Sequence, residues 1–157
     1  MAGNVAVRQP GEGAAYWMLG GLYEVKVGSE DSGGVVTVME MTIPAGMGPP
    51  PHTHPGGESV YVLEGKIRYH IAGETHEGGP GSSFHVPEET EENFEPIEDS
   101  RLLVVYTPGG IESFFADAGE PAERREVPPP PSEPPDIDRL MEIGEKHGVR
   151  ISRPAAV

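Results

Sequence analysis

Two histidines and a glutamate stand close together in one glycine- and proline-rich stretch of the chain. His52 and His54 are separated by one residue, and Glu58 follows after the turn Pro55-Gly56-Gly57. Because side chains alternate faces along an extended chain, both imidazoles leave the same face of the backbone. The turn can direct the Glu58 carboxylate back toward them. Two imidazoles and a carboxylate form a donor set that holds a divalent transition metal and leaves coordination positions open.

The residues around these three side chains follow a recognisable order: glycine, five residues, His-x-His, three residues, glutamate, six residues, glycine. Gly46 and Gly65 complete this order without a gap. By this motif the chain resembles the small single-domain cupins, and the resemblance runs over residues 17–115. It implies an all-β fold, the cupin jelly-roll barrel (double-stranded β-helix) with short C-terminal helices, and it implies that His52, His54 and Glu58 are metal ligands inside the barrel.

The second cupin motif is only partly present. In the family it runs glycine, five residues, proline, one residue, glycine, two residues, histidine, three residues, asparagine; Gly81 and Pro87 fit its first part. Phe94 suits the aromatic residue often found near its end. The family's last glycine, its histidine and its asparagine are replaced here by Glu89, Glu92 and Pro96. The lost histidine is the family's third imidazole on the metal, and His85, the nearest substitute, is predicted at the surface.

Three roles are open for Glu92. As a fourth ligand it would give a site of two imidazoles and two carboxylates, which suits Fe, Mn, Ni or Co better than Cu, with Zn as a further candidate. Alternatively, Glu92 is a general base while His52, His54 and Glu58 hold the ion. In the third case no metal binds, and the histidine–carboxylate cluster acts directly on a ligand. Glu92 and Glu58 are the candidate catalytic residues.

Composition excludes several functions. A formal net charge of −15 makes nucleic acid and anionic membranes poor partners. The chain has no cysteine, which excludes disulfides, thiolate ligands and a thiol nucleophile. No apolar run approaches the ~20 residues of a membrane span, and the segment 14–22 is too short and glycine-broken for a secretory signal. We therefore expect no membrane association and a cytoplasmic location.

Short strands separated by glycine and proline turns recur about every ten residues, which is typical of a barrel or sandwich. The side chains of the long strand 35–43 fall alternately on its two faces. The apolar strand 101–107 is predicted to be buried on both faces. Helices are predicted over residues 111–118 and 137–147. These elements predict a domain organisation in three parts: a barrel at 1–119 with residues 1–13 loose, a proline-rich linker at 120–135, and a helix and tail at 136–157 docked on the barrel.

The resemblance is closest to monocupins of the quercetin-dioxygenase-like and polyketide-associated group. It rests on the first motif, on the strand 60–65 with its aromatic residue, and on Pro108-Gly109-Gly110 before a Phe-Phe helix. It implies a metal-dependent enzyme acting on a phenolic or polyketide-like small molecule, a dioxygenase or another oxidoreductase being one reaction class. The alternatives are a metal-free isomerase or cyclase using histidine and glutamate as acid and base, and a non-catalytic module that binds a small ligand.

A homodimer is also expected. Small jelly-roll sheets leave an exposed edge and an apolar outer face, and both need cover. The N-terminal strands are the candidate interface, with the 137–147 helix as a second candidate.

Overall fold

The computed structural model describes residues 2–153 and shows two antiparallel β-sheets around one hydrophobic core. The strands are Ala15–Met18 (β1), Gly21–Val27 (β2), Thr37–Ile43 (β3), His52–Thr53 (β4), Gly57–Glu64 (β5), Ile67–Ile71 (β6), Glu74–Gly78 (β7), Ser83–Val86 (β8), Glu92–Pro96 (β9), Ser100–Thr107 (β10), Glu120–Pro121 (β11) and Arg150–Ile151 (β12). One sheet has the order β11-β1-β2-β3-β10-β5-β8 and the other the order β12-β4-β9-β6-β7. The all-β architecture predicted from the sequence is confirmed.

Alternation along the long strands builds the core. In β3 the inward side chains are buried: Thr37, Met39, Met41 and Ile43. Strand β10 differs from its prediction, because Leu102 and Val104 are buried whereas Leu103 and Val105 are only half-buried. An antiparallel sheet in a two-sheet barrel buries one face against the core, so a continuous apolar sequence does not make a strand buried on both faces.

Three short helices accompany the sheets: Ser29–Ser32 (α1), Glu112–Ala118 (α2) and Ile137–Lys146 (α3). The two predicted helices are α2 and α3, and the Asp136 side chain caps α3 by accepting from the Arg139 N–H at 3.0 Å. Helix α1 was not predicted, and the strand expected from residue 35 begins at Thr37. None of the helices in residues 2–153 has the length and apolar character needed to cross a membrane.

The C-terminal part of the chain returns to the barrel at several points. Strand β11 pairs with β1, and the indole N–H of Trp17 donates to the Glu126 carbonyl at 2.8 Å. Helix α3 buries Leu140, and β12 pairs with β4, where Ile151 lies opposite His52. The C-terminal segment therefore reaches the strand that carries the first histidine. The predicted tail beyond residue 153 lies outside the described residues.

The outer face of the larger sheet carries an apolar patch. Tyr61 on β5 lies opposite Leu103 on β10, and Tyr61 is 45% exposed. We expect this face to contribute to a homodimer, because burying an apolar patch removes it from water. Light scattering at micromolar concentration should give the dimer mass for the natural chain and the monomer mass for Leu103→Glu. A monomeric natural chain would rule the dimer out.

Candidate metal centre

The four predicted site residues come from three strands that meet inside the barrel. Strand β4 carries His52, the chain then reaches His54 and a short turn, and β5 carries Glu58 near its start. Strand β9 begins with Glu92, which pairs directly with His52 across the β4–β9 ladder. One potential ligand atom from each of the four side chains lies within 4.8 Å of all the others. Backbone pairing thus brings Glu92, distant in sequence, beside the His-x-His pair.

A close backbone approach holds the loop that leads into β4. The Cα of Gly48 lies against β9, and a Cβ built there would stand 1.9 Å from the Phe94 carbonyl oxygen. Only glycine fits such a contact without moving the strand. The loop that delivers His52 is therefore fixed against the strand that delivers Glu92.

Both imidazoles direct Nε2 toward the carboxylates. His52 Nε2 lies 3.3 Å from Glu92 Oε1, and His54 Nε2 lies 2.8 Å from Glu58 Oε2 and 3.6 Å from Glu92 Oε2. His54, Glu58 and Glu92 are at most 3% exposed, and His52 is half-buried at the cavity wall. Two nitrogen and two carboxylate donors therefore converge on one buried point.

Backbone carbonyls fix the orientation of both rings. His52 Nδ1 lies 2.9 Å from the Pro50 carbonyl oxygen, and His54 Nδ1 lies 2.6 Å from the Gly56 carbonyl oxygen. Because a carbonyl oxygen only accepts, each Nδ1 must carry the proton. In the neutral imidazole this leaves the Nε2 lone pair directed at the cluster, which is the arrangement of a metal-binding histidine.

Glu92 provides a test of whether this site fits a cation. The Tyr69 hydroxyl donates to Glu92 Oε1 at 3.0 Å, whereas Glu92 Oε2 is buried and has no hydrogen-bond partner among the described residues. A buried carboxylate oxygen without a partner is costly, since its lost hydration is not replaced. A divalent ion between the two Nε2 atoms and the carboxylates would supply that partner, and the donor set suits one. The residues fit a metal.

The protonation equilibria of the four groups are strongly linked. Burial lowers the pKa of His54, but its hydrogen bond to Glu58 and the nearby Glu92 carboxylate outweigh burial and raise the pKa to about 10. Burial also lowers the pKa of His52, but the nearby Glu92 carboxylate outweighs burial, so the pKa of His52 is raised. Burial and the charge of Glu92 raise the pKa of Glu58. The pKa of Glu92 lies well below its usual range, because the two nearby histidines, whose Nε2 atoms lie at 3.3 and 3.6 Å, outweigh its burial.

Metal binding should therefore displace protons. With its pKa near 10, His54 is protonated at pH 7 and must lose the Nε2 proton to bind an ion. We expect at least about one proton to be released per ion at pH 7, and we expect affinity to increase as pH rises toward 10 because the competing proton leaves. Calorimetric titrations in buffers of different ionisation enthalpy measure the number. A binding enthalpy independent of the buffer would contradict this expectation.

The backbone at Glu89 supports the alignment with the second cupin motif. Glu89 has φ of 55°, a left-handed conformation that favours glycine, and it occupies the position where the family has glycine. Its N–H donates to the His54 carbonyl at 2.9 Å, so the turn contacts the His-x-His segment directly. The turn conformation is kept although the residue type has changed.

Several residues around the centre were not predicted. The hydrogen bond from Tyr69 to Glu92 has no signature in the sequence. The Tyr106 ring meets His54 edge-on at 5.7 Å. The sequence correctly predicted His85 at the surface, where its Nδ1 lies 2.9 Å from Ser59 Oγ.

A small cavity of about 60 Å³ adjoins the cluster. His52, Glu58 and Glu92 form its polar side, while the other walls are apolar and include residues of both C-terminal helices and of β12. A bound molecule would thus meet the acid and base groups at one end and hydrocarbon elsewhere.

The family described as a cupin domain matches residues 39–111. No curated protein sequence matches the chain. Among solved structures, an RmlC-like cupin from Shewanella frigidimarina is 15% identical with a TM-score of 0.64, over 72% of this chain and 99% of that one. Ectoine synthase from P. lautus is 17% identical with a TM-score of 0.58, over 77% of this chain and 87% of that one.

A salicylate 1,2-dioxygenase from Pseudoaminobacter salicylatoxidans is 18% identical with a TM-score of 0.53, over 60% of this chain and 28% of that one. At these identities the likeness concerns the fold. The predicted cupin jelly-roll fold is confirmed.

Proposed function

We propose that this cupin is a metal-dependent enzyme acting on a small organic molecule, with His52, His54, Glu58 and Glu92 holding one divalent ion. The observation that supports this most is the convergence of two Nε2 atoms and two carboxylates within 4.8 Å of one another, where Glu92 Oε2 is buried without a hydrogen-bond partner among the described residues. Fe, Mn, Ni and Co are the candidate ions, with Zn as a further one. When bound, such an ion supplies Lewis-acid polarisation of a substrate oxygen and, if redox-active, access to O₂.

The chain's own residues supply proton transfer and positioning. Without a bound ion, Glu58 has a raised pKa and hydrogen-bonds to His54 at 2.8 Å, which makes it a candidate to hold a proton near neutral pH. Tyr69 orients Glu92 by donating to Oε1. The apolar walls of the cavity exclude water, which strengthens the electrostatic interactions inside it. Glu92 is the proposed fourth ligand, and proton transfer by Glu92 is the alternative role.

The substrate class is proposed to be phenolic or polyketide-like, as in the quercetin-dioxygenase-like group of cupins. The mainly apolar cavity with one polar side suits the oxygen-bearing end of such a molecule. The fold shared with a salicylate 1,2-dioxygenase supports, by analogy alone, an oxidoreductase that uses O₂. The cytoplasmic location remains a prediction.

Turnover by protein purified without a histidine tag tests this proposal. Each candidate ion is loaded separately, and phenolic and polyketide-like compounds are screened by oxygen electrode and mass spectrometry. We expect metal-dependent turnover that is lost in His54→Ala and kept in His85→Ala. Ion binding without any turnover would instead support the ligand-binding module.

A metal-free isomerase or cyclase is the second candidate. The short contact of 2.8 Å between His54 Nε2 and Glu58 Oε2 favours it, because an acid and a base already share a proton there. Activity that survives complete chelation would establish this reaction class in place of the first.

Substitution of Glu92 by histidine should preserve metal binding. Imidazole is a competent ligand, and Glu92 stands where the cupin family has its histidine. The change also removes one negative charge beside the ion, so a redox-active ion should show a higher reduction potential. Metal stoichiometry and potentiometry measure both effects. Loss of the ion from Glu92→His, with the fold intact by circular dichroism, would contradict the proposed ligand position.

A further inference from the structure

The cavity beside the metal centre is too small for a typical organic substrate. Its volume of about 60 Å³ corresponds to a few water-sized groups. Binding sites for small organic molecules usually measure roughly 300–1,000 Å³. The inner cavity, defined by its contact with His52, Glu58 and Glu92, therefore accepts a head group and little more.

A larger space lies directly outside it. We call it the proline groove: about 650 Å³ bounded by the segment from Pro128 to Pro135 on one side and by the β1–β2 turn on the other. Met18, Leu19 and Leu140 line both the inner cavity and the proline groove. The two spaces are thus neighbours that share one apolar partition.

The wall of the proline groove is preformed. Proline fixes φ, so a segment rich in proline keeps an extended shape at little further entropic cost. Its two ends are anchored, by the Trp17 indole bonding to the Glu126 carbonyl and by Asp136 capping α3. In the partition, Met18 is half-buried and unbranched, which lets it change rotamer as a ligand passes.

Charge restricts what the groove accepts. Glu120, Glu133 and Asp136 line it, while the Arg139 guanidinium donates to the carbonyls of Asp117 and Ala118. Three carboxylates repel an anionic group, and the remaining lining is mostly apolar. A neutral, apolar group is therefore favoured.

The geometry points to one continuous ligand site in two parts, which deepens the proposed function and rests on it. The ligand is an elongated molecule whose oxygen-bearing head occupies the inner cavity and whose neutral apolar tail passes Met18 and Leu140 into the proline groove. Met47, which lines only the groove, contacts the tail and determines how long a ligand is accepted.

Alkyl hydroxamates of increasing tail length test this inference, because the head chelates transition metals and the tail is neutral. Acetohydroxamate and octanohydroxamate are titrated into metal-loaded protein by calorimetry and by fluorescence of Trp17, the only tryptophan in the chain, which lines the groove. We expect octanohydroxamate to bind at least about tenfold more tightly. Only the long probe should shift the Trp17 emission.

A charged variant within the groove separates the two parts of the site. Met47→Glu should remove the advantage of the long tail and leave acetohydroxamate binding unchanged, whereas Val35→Glu, at an exposed position outside both cavities, should change neither.

Equal affinity for both probes, or a tail advantage that survives Met47→Glu, overturns the inference. Failure of acetohydroxamate to bind metal-loaded protein contradicts the metal centre instead, and a tail advantage that persists after chelation still supports the groove. Absence of binding by either probe overturns both.

Discussion

Glu92→Ala is expected to weaken metal binding by about 100-fold or more. The substitution leaves three donors and removes the one carboxylate that touches both imidazoles, at 3.3 Å from His52 Nε2 and 3.6 Å from His54 Nε2. It also removes Glu92 Oε2, the buried oxygen that has no hydrogen-bond partner among the described residues and that a bound ion would contact. Competition with a chromophoric chelator gives the affinity of each variant.

Glu91→Ala is the matched control, because Glu91 is the neighbouring glutamate and its side chain is exposed. It removes the same charge from the same turn without touching the cluster, so metal affinity should stay within a factor of about two, as for surface substitutions in general. Equal affinities for Glu91→Ala and Glu92→Ala would show that Glu92 is not a ligand. Circular dichroism of both variants verifies that the fold is kept.

Metal is also expected to stabilise the folded chain strongly. An ion at 1,000 times its dissociation constant raises the free energy of unfolding by about 4 kcal/mol when only the folded state binds it. The four proposed ligands come from β4, the following turn, β5 and β9, so the unfolded chain does not hold these donors together. Urea unfolding with and without metal measures the difference.

His54→Ala should abolish this metal-dependent stabilisation, whereas His85→Ala should retain it in full. His54 is buried in the cluster, and His85 lies on the exposed face of β8. Metal-dependent stabilisation of the same size in both variants would mean that the ion binds elsewhere. Chelation should return the natural chain to its metal-free unfolding midpoint.

The centre could be predicted from sequence because its parts are local. His52, His54 and Glu58 lie within seven residues, and the alternation of an extended chain places both imidazoles on one face. Glu92 required the spacing of the second motif, anchored by Gly81 and Pro87. The left-handed backbone at Glu89 now gives that alignment a structural basis, since the turn keeps its shape after losing glycine.

Features that depend on distant pairing could not be predicted. The pairing of β12 with β4 joins residues about a hundred positions apart, and two-residue strands carry no periodicity to detect. The proline groove likewise depends on where the linker returns to the barrel. For β10, an apolar sequence suggested burial on both faces, but the half-buried Leu103 and Val105 show that hydrophobicity alone does not specify the number of covered faces.

Metal analysis of the untagged protein tests the central claim most directly. Inductively coupled plasma mass spectrometry, after incubation with each candidate ion and removal of the excess, should find about one divalent transition ion per chain. The ion should be lost on chelation and largely absent from Glu92→Ala. A folded natural chain that retains none of Fe, Mn, Ni, Co or Zn would contradict the proposed metal centre.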